Sequence, residues 1–389
     1  MTTGATTPDQ LEERPRFLRN NWLLSPWADS TFLFGGAVVS LLFFFAWEQG
    51  LLAFDSLMLI WIFGFQGSHF WGQLGRTYAD SSMWREKAGM LVGLLGWLVI
   101  GPVLIGIAIV SGQDWISFAF FALAPVWAYH HVVKQHFGFL ALYRAKAKQY
   151  HPTWFPLEKW YLMLSLWLPL GALFVAHPEL WVNLTSVESA AFYLENRTQV
   201  DSILSRVVQG IWVAFWTLQA AYLGVHLWQL VNGRRLNLQA FVVVACPIAL
   251  HYVVFTQLTA LAPTELPLVV LVFVPAVTIF HNIQYHALVW FYCRQKYVKS
   301  AAAGEKRYGL AHLVNRNLLV YFAIGTIYTV TTVGTERYPA VLQYQGEEWY
   351  PLFRAFIWGF AFLHYDLDAR IWKVSKDEDL RETLGFNRG

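Results

Sequence analysis

Apolar stretches of about 20 residues, each long enough to cross roughly 30 Å of hydrocarbon as a helix, follow one another along most of the chain. They cover residues 31–51, 54–75, 89–111, 115–143, 157–177, 208–231, 237–259, 266–293, 310–334 and 349–369. The breaks between them hold turn-forming clusters such as "SGQD", "HPTWFP", "NGRR", "LAPTELP" and "YQGEEWYP", which punctuate rather than continue a helix. The pattern predicts an all-α fold, a polytopic integral membrane bundle of about ten transmembrane helices. Residues 1–30 read as a polar leader with an interfacial segment, 31–370 as one transmembrane domain, and 371–389 as a charged cytoplasmic tail. The longest break, 178–207, has room for a short helix outside the membrane.

Composition agrees with the pattern. Of 389 residues, 56% are hydrophobic and 14% charged, against about 25% charged in an average soluble protein. The mean hydropathy is +0.39. A net charge of +3 spread over the breaks gives no nucleic-acid footprint. Cys246 and Cys293 both sit in apolar runs, so neither a disulfide framework nor a Cys-x-x-Cys knuckle is present. The opening "MTTGATTPDQLEERPRFLRNNW" has no apolar core and does not read as a cleaved signal peptide. Lys and Arg concentrate at the N-terminus, after spans two, four, six and eight, and in the tail. By the positive-inside rule both termini face the cytoplasm, and the expected location is the cytoplasmic membrane of a prokaryote. The break at 178–207, with Arg197 and Arg206, follows the rule less cleanly.

Polar residues inside such helices are costly and mark function. The chain has twelve histidines. His69 falls near the end of span two, His130, His131 and His136 near the end of span four, and His226 near the end of span six. His281 and His286 lie in the second half of span eight, and His364 late in span ten. Even-numbered spans run toward the cytoplasm, so these eight share the cytoplasmic half of the bilayer; His251, in the outer half of span seven, does not and reads as structural. His69, Gln73, Arg76 and Asp80 occupy one helical face, and His364 lies one turn before Asp368, a spacing that lets a carboxylate orient a ligand histidine. His131/His136 and His281/His286 are spaced i, i+5, about 140° apart on a regular helix. Either a π-bulge draws each pair together or each helix supplies two sub-sites.

Imidazole ligates iron, copper and zinc. Apart from Cys293 no sulfur accompanies the set, which favours iron or zinc over Cu(I). The expected centre draws metal ligands from His69, His130, His131, His136, His281, His286 and His364, with Asp80, Asp368 and Tyr285 as catalytic or orienting groups. Non-haem iron, one or two ions, is the leading cofactor; zinc, copper or haem are alternatives. Such a centre suits an O2-dependent oxidoreductase acting on a lipid, sterol or isoprenoid that enters from the bilayer, with a cytoplasmic electron donor where one is needed. The other readings are a proton- or ion-coupled transporter and a haem-bearing electron-transfer protein.

"FHNIQYHALVWF", "LHYDLD" and, more loosely, "SHFWGQLGRTYAD" resemble motifs of the microbial β-carotene 15,15'-dioxygenase family, whose histidines are scattered over several spans. The first carries its histidines at i, i+5 where that family has i, i+4, and the family's early Pro-His-Gly-x-x-Asp is not found. The likeness covers about 40 residues and implies a histidine-ligated iron oxygenase; a carotenoid substrate does not follow from it. The integral-membrane di-iron hydroxylases and desaturases share the location and the histidine richness, but their His-x3-His and His-x2-His-His boxes do not occur here.

Overall fold

The computed structural model describes residues 17–18, 21–149, 152–182, 187–260, 266–298, 308–334 and 349–386. Each of the ten apolar segments is helical: α1 (Pro26–Glu48), α2 (54–77), α3 (Ser81–Ser111), α4 (Asp114–Lys146), α5 (Trp154–Ala176), α6 (Arg197–Val231), α7 (Leu238–Thr259), α8 (Leu266–Cys293), α9 (Leu318–Thr329) and α10 (Tyr350–Ile371). Six of them, α1, α3, α4, α5, α7 and α8, are long and apolar enough to cross a membrane. Short helices at Glu179–Val182 and Val187–Glu195 fill the break before α6, where the sequence leaves room for one. The outward surface is apolar. Val110 and Leu319 are 90% and 80% exposed, a cost in water and the normal state of a side chain facing lipid.

Polar caps fix the helix ends. The carboxylate of Asp29 accepts the backbone N–H groups of Leu23, Leu24 and Ser25 and the hydroxyl of Tyr143 at 2.6 Å, tying the start of α1 to the end of α4. Asn237 and Asn317 cap α7 and α9 through Ala240 N and Val320 N, satisfying N–H groups that a helix start leaves free. Close helix approach depends on small residues. A Cβ built on Gly67 of α2 would lie 1.5 Å from Thr329 Oγ1, and one on Gly72 would lie 2.2 Å from the Tyr321 hydroxyl. Only glycine lets α9 seat this closely on α2.

The four helices expected to build the site meet. α2 and α4 each touch both α8 and α10. The π-helical stretches fall at Asp29–Phe34, Ile60–Gln66, Arg294–Val298 and Val330–Gly334. None covers 131–136 or 281–286, where α4 and α8 are regular α-helix, so each histidine pair splays and supplies two sub-sites.

The segment after α10 packs back on the bundle. Asp377 caps a short helix, Glu378–Thr383, by accepting from Leu380 N, and Leu380 and Leu384 are buried in the main apolar core. Lys87 pairs with Asp377 at 2.8 Å and Lys296 with Asp379 at 2.7 Å.

Candidate metal centre

Three helices bring three imidazoles together. His69 (α2), His131 (α4) and His364 (α10) are all buried, and one ring nitrogen of each lies within 4.8 Å of the others. His69 Nε2 and His364 Nε2 stand 2.8 Å apart. Two nitrogens bound at 2.0–2.1 Å to one ion at right angles are separated by about 2.9 Å, so this pair has the spacing of neighbouring ligands. Among the described residues His131 Nε2 has no hydrogen-bond partner, and neither does His69 Nδ1, which lies on the far side of the ring from His364 and is not accounted for by an ion at Nε2. A buried unpaired nitrogen calls for an explanation, and for His131 Nε2 a shared ion is one. His281 of α8 adjoins the group, its ring 4.7 Å from that of His69 and 5.2 Å from that of His131, with Nδ1 unpartnered.

The tautomer of His364 can be read from its surroundings. Gln73, one turn beyond His69, donates from Nε2 to Asp368 Oδ1 at 2.7 Å and to the His364 carbonyl at 2.9 Å. Both partners are acceptors, so the amide orientation is fixed and Gln73 Oε1 must accept from His364 Nδ1–H, 2.9 Å away. With the proton on Nδ1, the Nε2 lone pair of a neutral His364 points at His69. His364 Nδ1 is thus held by the Gln73 amide rather than by Asp368, to which it is linked only through Gln73.

Asp368 divides its two oxygens. Oδ1 accepts from Gln73, from the Tyr285 hydroxyl at 2.8 Å and from Trp372 Nε1 at 3.2 Å. Oδ2 faces the triad, 3.6 Å from His364 Nε2 and 3.8 Å from His131 Nε2, a span that two ligands of one ion can share. Tyr285 lies against His69 with ring centroids 4.3 Å apart, and Tyr365 stacks on His131 at 4.4 Å. The residues present therefore fit a metal ion, with three imidazoles and one carboxylate oxygen as the donor set.

The remaining predicted residues are placed elsewhere. His286 is engaged at both nitrogens, Nδ1 with the Tyr321 hydroxyl at 2.9 Å and Nε2 with the Phe65 carbonyl and Ser68 Oγ at 3.2 Å. His136 stacks on Phe280 and stands edge-on to the His251 ring, centroids 6.2 Å apart; neither of its nitrogens, nor His251 Nε2, has a hydrogen-bond partner among the described residues. His130 sits half-buried at the rim of a cavity. Asp80 is a helix cap. Its Oδ1 accepts from Ser82 N and Oγ at 2.7 Å, and its Oδ2 from Tyr297 at 3.0 Å with Lys296 at 3.5 Å. Eleven residues beyond His69, it is roughly 16 Å further along the helix direction. Arg76 is clasped between the faces of Tyr292 and Trp372, 3.9 and 3.6 Å from their centroids. Among the tyrosines of the histidine helices, Tyr129 donates to the Leu166 carbonyl and Tyr143 to Asp29.

A cavity of about 500 Å³ lies between α4, α8 and α10 with His131, Tyr285 and Asp368 among its lining residues. Trp127, Phe139, Leu142, Leu288 and Tyr365 make much of its wall apolar. No family model matches this chain, and no match to it is found among curated proteins or solved structures.

Proposed function

We propose that the protein is a multi-pass membrane oxygenase that oxidises a lipophilic substrate at one non-haem iron ion held by His69, His131 and His364. The observation that carries this reading is the buried histidine triad beside an apolar cavity, with Asp368 Oδ2 turned toward it. Three neutral nitrogens and one carboxylate suit iron or zinc better than Cu(I). The 2.8 Å between His69 Nε2 and His364 Nε2 favours a compact ion over haem, whose axial nitrogens stand on opposite faces about 4 Å apart. In this reading the chain has ten spans with both termini cytoplasmic, in the inner membrane of a prokaryote.

Bound iron would supply the O2 activation that no side chain can. The chain's own residues do the rest. Gln73 holds His364 in its ligating tautomer, Asp368 offers its second oxygen, and Tyr285 fixes the first oxygen through its hydroxyl while its ring packs on His69. The apolar wall orients the substrate and keeps water from the reacting atoms.

The test is elemental analysis and an absorption spectrum on the detergent-purified full chain, wild type beside His364→Ala. About one iron per chain without a Soret band, lost in the variant, is the expected result. Equal metal content in both proteins, or none in either, overturns the reading.

A further inference from the structure

The cavity beside the triad has a charged mouth. Lys134 and Lys373 line it together with His130, and the ammonium groups of Lys134 and Lys159 both lie over the Phe137 ring, 5.5 and 5.8 Å from its centroid. Lys134 is also within electrostatic reach of both Lys159 and Lys373. Among the described residues none of the three lysines forms an ion pair within 4 Å. The acids nearby are committed: Asp366 is taken bidentately by Arg370 at 2.7 and 3.0 Å and by Trp97, although its field reaches Lys373, and Asp368 Oδ1 is saturated. The positive-inside rule accounts for lysines at this end of the helices. It does not account for Lys134 of α4 and Lys373 after α10 meeting in the lining of one cavity, with Lys159 of α5 over Phe137 of the same wall, where the like charges repel one another.

We propose that the cavity takes an amphiphile with one anionic head, a carboxylate or phosphate, and an apolar chain. The head sits among Lys134, Lys159 and Lys373, relieving their repulsion, and the chain lies along Trp127, Phe139, Leu142 and Leu288. The volume is within the roughly 300–1,000 Å³ of ordinary small-molecule pockets. A neutral carotenoid would leave these charges unused. Lys134 is three residues from His131 on α4, roughly 5 Å of helix rise, and Lys373 lies five residues from Asp368, just past the end of α10. The chain atoms nearest the triad are therefore those close to the head, and oxidation falls there rather than at the far terminus. That last step rests on the oxygenase reading; the anion site does not.

The experiment is binding of radiolabelled oleate to the full chain in phosphatidylcholine nanodiscs, competed by oleate, oleyl phosphate, oleyl alcohol or inorganic phosphate. About one oleate per chain is expected, with displacement by both anionic amphiphiles and at least tenfold weaker competition by the alcohol. The double variant Lys134→Gln/Lys373→Gln is expected to weaken oleate about tenfold while leaving oleyl alcohol unchanged. Equal competition by the alcohol, wild-type affinity in the double variant, or displacement by inorganic phosphate alone overturns the proposal. His364→Ala separates the two readings. Metal lost with oleate binding kept supports both, metal unchanged with oleate bound sinks only the oxygenase, and metal lost with alcohol and oleate equivalent sinks only the anion site.

Discussion

His69 and His364, 295 residues apart in sequence, meet nitrogen to nitrogen at 2.8 Å, and Gln73 fixes which nitrogen of His364 is free to do so. Substituting either histidine by Ala is expected to abolish metal binding, as is His131→Ala. His286→Ala is expected to keep the metal. Its cost is in stability, about 1–3 kcal/mol from leaving the buried Tyr321 hydroxyl without its partner. His136→Ala, on the other side of α4, is likewise expected to keep the metal. Metal per chain across this set of variants reads the ligand list directly, and loss of metal in His286→Ala would move that residue into the site.

Gln73→Leu removes both the acceptor on His364 and a donor to Asp368 while leaving every metal donor in place. A partner of this kind is worth about 10–100-fold in metal affinity, measurable by chelator competition. Gln73→Glu is the sharper variant. It keeps an acceptor for His364 Nδ1–H but sets a carboxylate against Asp368 Oδ1, where a donor stood at 2.7 Å. Its affinity is expected to fall further than that of Gln73→Leu at high pH and to recover as the added carboxyl protonates. A pH-independent loss would contradict the orienting role.

That α2, α4 and α10 carry the clustered histidines is legible in the sequence. Polar residues in apolar helices stand out by their cost, and the His69–Gln73 and His364–Asp368 spacings place each pair on one face. What is not legible is which side of a helix meets which neighbour. On α4 the i, i+5 spacing sends His131 to the triad and His136 to His251, and the choice depends on where α7 and α10 pack. Asp80 shares a helical face with His69 in the sequence, but the turn after α2 converts it to the cap of α3. Gln73 shows in the stripe, yet its bridge to Asp368 is a tertiary contact that no local pattern encodes. Tyr365 and Trp372 have no sequence signal that separates them from the many other aromatics in the chain.

Packing of α9 on α2 is testable away from the chemistry. Gly67→Ala puts a methyl where Thr329 Oγ1 stands, 1.5 Å from the new Cβ. Overpacking of this kind costs about 1–3 kcal/mol or more, expected as a lowered melting temperature in detergent. Because the clash is with a side chain, Thr329→Gly in the same protein is expected to restore much of the loss. Failure of that rescue would mean that backbone, not the threonine, sets the limit.

The segment after α10 provides a pH dependence whose sign follows from one carboxyl. Burial pushes Asp377 up, but the Lys87 ammonium and the Leu380 N–H it accepts outweigh this and hold it below the ordinary value of 3.8. A depressed carboxyl contributes stability that is present above its unfolded value and lost as pH falls through the folded one. Docking of Glu378–Thr383 on the bundle is therefore expected to be constant from neutral pH down to about 5 and to weaken below about 4. Amide hydrogen exchange in that helix, followed against pH, measures it. Lys87→Met removes the ammonium that lowers Asp377, so docking in the variant is expected to be weaker at neutral pH and to fall less on acidification than in the wild type. An equal fall on acidification in both proteins would assign the acid sensitivity to another group, with Asp379 beside Lys296 the next to change.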